Sequence, residues 1–303
     1  MTGISAVPPG LPLILGALLL PLLGPRARAV LVLGLPLLVL ALVWQVPDGT
    51  SLRLTFLDYE LAPVTGDRLS RLFGTVFAIM AFAGGLFALN RSRVVELVAA
   101  LTGAGSAIGV AFAGDLFTLI VFWELLALSS TLLVWSAMTD RSYGPGMRYL
   151  IMHLLGGVIL MAGVIGHVAD TGSVVFTAML PDSPAHWLIL AGFLVNAGAP
   201  PVSAWLPDAY PEASPTGMVF LSAFTTKSAV YVLLRGFPGA EILIAIGLYM
   251  IFYGIVYALL ENDIRRILAY SIVNQVGFMI CGIGIGTEMA LNGTAAHAFA
   301  HII

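Results

Sequence analysis

Hydrophobic residues fill most of the chain in long blocks, and the polar residues collect between those blocks. A helix that crosses a bilayer needs about 20 mostly apolar residues. The blocks therefore predict ten spanning helices, at residues 4–24, 29–46, 70–89, 94–113, 115–137, 147–168, 186–206, 214–234, 239–260 and 266–286. An eleventh block begins near Ala290 and is still apolar at Ile303, but as a helix it would rise only about 21 Å, less than a hydrocarbon core of about 30 Å. We therefore expect a fragment of a longer chain, the alternative being a chain that folds back at this point.

Arginines at the ends of the blocks orient the predicted bundle, because cytoplasmic loops carry more basic residues than external ones. The loops after odd-numbered spans hold Arg26, Arg28, Arg91, Arg93, Arg141, Arg148, Arg265 and Arg266. The loops after even-numbered spans hold Arg53, Arg68, Arg71 and Arg235. This asymmetry predicts cytoplasmic odd-numbered loops and an N-terminus that faces outward.

The longest polar segment, residues 47–69, contains the alternating sequence Leu52-Arg53-Leu54-Thr55-Phe56. Alternation of apolar and polar residues is typical of a short strand. A plain extended loop fits the same residues equally well.

Composition agrees with a membrane protein, since 59% of the 303 residues are hydrophobic and 10% are charged. A soluble domain carries about 25% charged residues. No basic run suggests nucleic acid as a partner, and the single cysteine, Cys281, excludes a disulfide framework or a cysteine-based cluster. No nucleotide-binding, haem or flavin motif is visible, so we expect no cofactor and no catalytic centre within the chain. Energy for any transport would then come from a gradient or from redox partners.

Lysine occurs once, at Lys227, in the middle of the predicted eighth span. A charge at that depth costs about 3 kcal/mol on insertion scales, and it usually marks an ion or proton path. A buried lysine can release its proton, whereas an arginine cannot. The alternative is a lysine whose stem extends to the membrane surface.

Glu124 lies about nine residues, or about 14 Å, inside the predicted fifth span. A carboxylate at that depth must be paired, protonated or hydrated. It could belong to a proton path together with Lys227, or it could form a structural ion pair that fixes helix packing.

Three further histidines and a proline pair lie within the apolar blocks. His297 and His301 are four residues apart and share one face of a helix, a spacing that suits a proton relay better than a metal site without further ligands. We interpret His153 as a packing histidine with its nitrogens satisfied. Pro200 and Pro201 interrupt the seventh span, and an interrupted span is tolerated where it lines a wet cavity. An ordinary proline kink is the alternative.

Four segments resemble the antiporter-like proton-translocating subunits of respiratory complex I, membrane hydrogenases and Mrp-type Na+/H+ antiporters, most closely the D-type component of the Mrp antiporters. They are the sequences around Phe-Trp-Glu-Leu-Leu-Ala-Leu-Ser-Ser at Asp115–Ser130, Trp-Leu-Pro-Asp-Ala-Tyr-Pro-Glu-Ala and Leu-Ser-Ala-Phe-Thr-Thr-Lys at Ala197–Arg235, Glu-Asn-Asp-Ile-Arg-Arg-Ile-Leu-Ala-Tyr-Ser at Glu261–Met279, and the final His-Ala-Phe-Ala-His.

The resemblance implies an all-α, polytopic transmembrane bundle with a discontinuous seventh helix, as a fragment of a fourteen-helix subunit. It implies a Glu–Lys pair at Glu124 and Lys227, and path histidines at His297 and His301. It divides the chain into three N-terminal spans at residues 1–93, a first five-helix unit at 94–235, and the start of a second unit at 236–303. It also implies partner membrane subunits, transport of H+ with or without exchange for Na+, and the bacterial inner membrane as location.

One position departs from the family pattern. The family commonly has a lysine on the seventh span just before the break, and the spacing to Trp205 places Asn196 there. Asparagine can bind water or a cation but cannot store a proton, so a lysine-to-lysine relay is in doubt.

Three functions remain open from the sequence. The first is an ion-translocating subunit whose path includes Glu124, Lys227, Asn196, His297 and His301, in an Mrp-type antiporter or in a complex I-like or hydrogenase pump. The second is a membrane scaffold in which the charges only fix packing. The third is a transporter of an organic solute, which we rank last because few polar groups would line its pocket.

Overall fold

The computed structural model describes residues 7–303, and it is a bundle of helices with one small sheet. The helices are α1 Leu11–Leu19, α2 Pro25–Gln45, α3 Arg68–Ala88, α4 Val94–Phe112, α5 Leu116–Trp135, α6 Asp140–Thr171, α7 Pro184–Ala197, α8 Trp205–Ala209, α9 Pro215–Gly236, α10 Ile242–Leu260, α11 Ile264–Ile285 and α12 Glu288–Ile302. The strands are β1 Gly49–Phe56 and β2 Tyr59–Gly66. Among the described residues, 8 helices are long and apolar enough to span a bilayer, and Leu11–Leu22 and Pro184–Ala197 are shorter apolar segments. The predicted helical membrane bundle is confirmed.

Two predicted spans were wrong in extent. The first, 4–24, begins outside the described residues, and its helix runs only from Leu11 to Leu19, followed by one 3-10 turn at Leu20–Leu22. The sixth was predicted to start at 147, but α6 starts at Asp140. There the Thr139 hydroxyl accepts a hydrogen bond from the Ser142 amide, and Ser142 bonds back to the Thr139 amide. This reciprocal cap supplies the start signal that the apolar pattern lacks.

The seventh span is discontinuous, as predicted. Helix α7 ends at Ala197 and α8 begins at Trp205. The helix stops at Gly198, which takes a left-handed conformation with φ of 75°, two residues before Pro200. A glycine adopts that conformation without steric cost, and the prolines that follow cannot resume the helix.

A β-hairpin replaces the loop at 47–69. Strands β1 and β2 are antiparallel, with Leu54 opposite Leu61 and Phe56 opposite Tyr59. The alternation had left a short strand and a plain loop equally open; the strand is present, and its partner was not predicted. Asp115 attaches the hairpin to the bundle, because its carboxylate accepts hydrogen bonds from the Ala62 amide at 2.8 Å and from the Thr118 amide at 2.7 Å.

Helix α9 lies at the centre of the bundle. It packs against α3, α4, α5, α7, α11 and α12, and nearly all of its side chains are buried. A helix that is apolar all round and surrounded by other helices is typical of the interior of a membrane bundle. Position 227 therefore lies in protein, away from lipid.

The loops after odd-numbered spans meet at one end of the bundle. Ser92 and Thr216 share a hydrogen bond of 2.8 Å, and Arg148 forms a two-pronged ion pair with Asp208 at 2.7 and 2.8 Å. The loop before α9 also accepts a hydrogen bond from Arg265 at the Ala213 carbonyl. This end carries the arginine-rich loops and is called the arginine end below.

Asp67 holds the opposite end together. It caps α3 by accepting a hydrogen bond from the Ser70 amide at 2.7 Å, and it forms an ion pair with Arg235 of α9. Burial raises the pKa of Asp67, but the charge of Arg235 and the hydrogen bonds from Ser70 outweigh that effect and hold the pKa below its usual value of 3.8. Since the folded-state pKa is lowered, the carboxylate stabilises the fold above its ordinary pKa, and this stability is lost as pH falls through the lowered pKa.

Replacing Asp67 with asparagine is expected to lower the free energy of unfolding at neutral pH by about 0.5–1 kcal/mol, because asparagine still caps the helix and the lost ion pair is partly screened by solvent. Thermal unfolding in detergent would measure the loss, with Asp58→Asn at the exposed hairpin turn as the control. The difference from wild type should shrink at acid pH, and a difference of unchanged size well below the lowered pKa would contradict the assignment.

Candidate functional site: buried polar groups around the broken helix

Lys227 is fully buried on α9. Its ammonium donates a hydrogen bond to the carbonyl oxygen of Ser222 at 2.9 Å. The six ion pairs found among residues 7–303 include neither Lys227 nor Glu124. The ammonium is therefore held by a backbone dipole and not by an opposite charge.

Glu124 lies on α5 and faces α6. Its Oε1 atom is buried and has no hydrogen-bond partner within the described part of the chain. The carboxylate rests on the bare backbone of Gly157, where an added Cβ would overlap with Oε1. The Glu–Lys pair that the family resemblance implies is thus not a direct contact in this structure.

Asn196 lies in the last turn of α7, directly before the break, and is 2% exposed. Its Oδ1 atom has no hydrogen-bond partner among residues 7–303. The same oxygen lies 3.2 Å from the position that a Cβ at Gly156 would take. Because Gly156 and Gly157 are consecutive, α6 brings Asn196 and Glu124 to neighbouring positions.

The close approach of Glu124 depends on a glycine at position 157. Replacement with alanine is expected to lower the free energy of unfolding by about 1–3 kcal/mol, the usual cost of overpacking, because the added Cβ overlaps with Oε1 and forces the carboxylate to move. Gly34→Ala on α2 is the matched control, since no atom in the described part of the protein lies within 4 Å of the added methyl group. Equal melting temperatures for the two variants would contradict the packing described for Glu124.

Small hydroxyl side chains connect the helices that carry these groups. Thr225 on α9 shares a hydrogen bond of 3.1 Å with Ser130 on α5 and accepts one of 3.5 Å from Tyr149 on α6. The hydroxyls of Thr226 and Ser228, on either side of Lys227, are buried without a partner within residues 7–303. Buried polar groups normally have a protein or water partner, so this region is suited to hold water.

A second polar chain approaches Lys227 from α11 and α12. His297 Nε2 lies 2.8 Å from Gln275 Oε1, and the Gln275 amide donates to Asn274 Oδ1 at 3.3 Å. His301 follows one turn later, with its ring centre 6.2 Å from that of His297. His301 and Ser222 both line a cavity of about 410 Å³. The polar chain thus reaches a cavity that it shares with Ser222, whose carbonyl accepts the hydrogen bond from the Lys227 ammonium.

Two residues of the site were missed in the sequence, and His153 was interpreted there as a packing histidine. Asn274 and Gln275 are adjacent in an apolar stretch of α11. Two polar residues in such a stretch could have indicated that they belong to the site. His153 is buried, as expected, but no protein group among residues 7–303 forms a hydrogen bond with either of its ring nitrogens.

The NADH:quinone oxidoreductase/Mrp antiporter transmembrane family matches residues 113–303, which is more than half of the chain. The chain belongs to this family. Within the family, the chain is 32% identical over 226 residues to NADH-quinone oxidoreductase subunit M of Pseudomonas aeruginosa, covering 65% of this chain and 44% of that protein. It is 29% identical over 215 residues to the D component of the Na(+)/H(+) antiporter of Alkalihalophilus pseudofirmus, covering 64% of this chain and 43% of that protein. The chain thus spans less than half the length of these relatives.

The chain has the same fold as one chain of a multisubunit membrane complex of known structure. The structure of the Mrp complex from Dietzia sp. matches with a TM-score of 0.85 and 24% identity, over 97% of this chain and 36% of the matched chain. Family membership and the apolar helices together identify a polytopic membrane protein. The resemblance inferred from the sequence motifs is confirmed.

Proposed function

We propose that this chain is part of an ion-translocating membrane subunit that moves protons across the membrane within a multisubunit Mrp-type antiporter. The observation that carries the proposal is the environment of Lys227, the only lysine in the sequence. It is fully buried in the central helix, and among residues 7–303 its ammonium bonds only to a backbone carbonyl. A charge in that position is costly, and hydrophobic packing does not require it. Its retention is understandable if the lysine exchanges a proton.

The surroundings of Lys227 support two arms of a proton path. One arm runs through Gln275, His297 and His301 to the carbonyl that binds the lysine. The other contains Asn196 and Glu124, side by side on the glycines of α6. Because no ion pair among the described residues joins Glu124 to Lys227, exchange of a proton between them passes through water or requires a side chain to move.

The wider assignments follow from the relatives. The two relatives named above are subunits by name, one of an oxidoreductase and one of an Na(+)/H(+) antiporter. We extend this to partner membrane subunits, to protons exchanged for Na+, and to the cytoplasmic membrane of a bacterium. A proton pump of the complex I type is the second candidate, and the 32% identity to the oxidoreductase subunit is compatible with it.

Proton flux in sealed vesicles that contain the complete complex tests the proposal. A pH-sensitive dye inside the vesicles reports flux driven by an imposed Na+ gradient, and flux that disappears when choline replaces Na+ would assign the antiporter. Flux driven only by a quinone substrate would assign the pump. If complexes carrying both Glu124→Gln and Lys227→Met transport as fast as wild type, the proposal is wrong.

A further inference from the structure

His153 has an unusual environment for a histidine in the middle of a membrane span. It is 0% exposed on α6, and both of its ring nitrogens lack a hydrogen-bond partner among residues 7–303. Its ring stacks on Tyr149, with centres 4.0 Å apart, and lies nearly perpendicular to the Trp205 ring, with centres 4.6 Å apart. A buried polar group without a protein partner costs free energy, and packing alone would be served equally well by a phenylalanine.

The position of His153 on α6 connects it to the two groups beside the break. Gly156 and Gly157 follow it by three and four residues, so all three positions lie on one face, about one helical turn apart. Gly156 contacts Asn196 and Gly157 contacts Glu124. The His153 ring therefore lies one turn closer to the arginine end than the Asn196 and Glu124 side chains.

A cavity at the arginine end is connected to His153 through Trp205. It has a volume of about 540 Å³ and is lined by Trp205, Met152, Arg148, Asp208 and other residues at the arginine end. His153 does not line this cavity itself, but its ring contacts Trp205, which does. The contacts thus run from the cavity to Trp205, then to His153, and one turn further along α6 to the glycines that contact Asn196 and Glu124.

We propose that His153 is a proton-carrying residue that connects the cavity at the arginine end to Glu124. The inference rests on the proposed function, and it supplies the titratable group that Asn196 cannot provide. One ring nitrogen takes a proton from a hydronium ion that enters from the cavity past Trp205, leaving water, and the other nitrogen releases its proton through water at the Asn196 amide to the Glu124 carboxylate. One N–H bond forms and one breaks, so the ring returns to the neutral form as the other tautomer, and rotation of the ring resets it.

Replacement of His153 with phenylalanine tests the assignment in the complete complex. Phenylalanine keeps a flat ring between Tyr149 and Trp205 but has no nitrogen, so we expect proton flux per assembled complex to fall by at least about tenfold, within what a positioned proton-transfer group contributes. His153→Gln is expected to lose flux as well, because an amide binds water but does not carry a proton. His167→Gln is the control, since His167 lies about 21 Å further along the same helix and hydrogen-bonds His186 instead.

A rescue variant separates proton transfer from packing. Adding Asn196→Lys to His153→Phe restores a titratable group one turn away, and we expect it to recover a substantial part of the flux. Wild-type flux in His153→Phe, or failure of the lysine to rescue an assembled complex, would overturn the inference. If the wild-type complex itself shows no flux that depends on Lys227, the proposed function fails instead, and the two results are distinguishable.

Discussion

Replacing Lys227 with methionine is expected to reduce proton flux by at least about tenfold while leaving the amount of assembled complex equal to or above that of wild type. Methionine has nearly the same length and is apolar, so it removes a buried charge that has no acidic partner among the described residues. Relief of that cost, about 3 kcal/mol for a charge at the centre of a span, should raise the stability of the bundle.

The same variant distinguishes a transport subunit from a scaffold. If the lysine only fixes packing, Lys227→Met should lower assembly but preserve the flux of each complex that does assemble. Lys227→Arg adds a second test, because arginine keeps the charge but does not release its proton, and it should also lose flux. Arg53→Met in the exposed hairpin is the control for loss of a basic residue. Full flux in Lys227→Met would contradict a role for this lysine in transport.

Replacing Glu124 with glutamine is the second change with a large expected effect. Glutamine has almost the same shape as glutamate and can occupy the same position over Gly157, so the bundle should remain intact. It cannot bind and release a proton, and we expect flux to fall by at least about tenfold. Stopped-flow measurement of vesicle acidification, normalised to the amount of complex, would measure the loss.

Two further variants, one a control and one a graded change, show whether the loss of flux is specific to Glu124. Glu60→Gln changes a carboxylate whose side chain is 74% exposed on the hairpin, and it should transport like wild type. Glu124→Asp keeps the carboxylate but withdraws it by one methylene group, and an intermediate flux is expected. If Glu124→Asp is as inactive as Glu124→Gln, position matters more than charge. If Glu124→Gln is fully active, Glu124 is not part of the path.

The candidate site could be predicted only in part, because the sequence shows which residues are polar within apolar blocks but not which helix faces meet. A charge inside an apolar block is visible at once, so Glu124, Lys227 and the two terminal histidines could be identified. The expectation that Glu124 and Lys227 pair was not reproduced as a contact, because helix faces depend on packing angles that the pattern does not contain. The sequence also does not show whether the buried ring nitrogens of His153 have protein hydrogen-bond partners, because those partners would come from other helices.

The amino-acid sequence is sufficient to predict a membrane bundle, its apolar segments and the break in the seventh span, because burial in lipid demands long apolar helices and prolines prevent their continuation. Which side chains meet depends on the packing of the helices in three dimensions. The tertiary structure pairs β1 with a second strand, places the Lys227 ammonium on the Ser222 carbonyl, and seats Asn196 and Glu124 on adjacent glycines of α6. These contacts join residues far apart in the chain, and they depend on how side chains of different size let neighbouring helices approach.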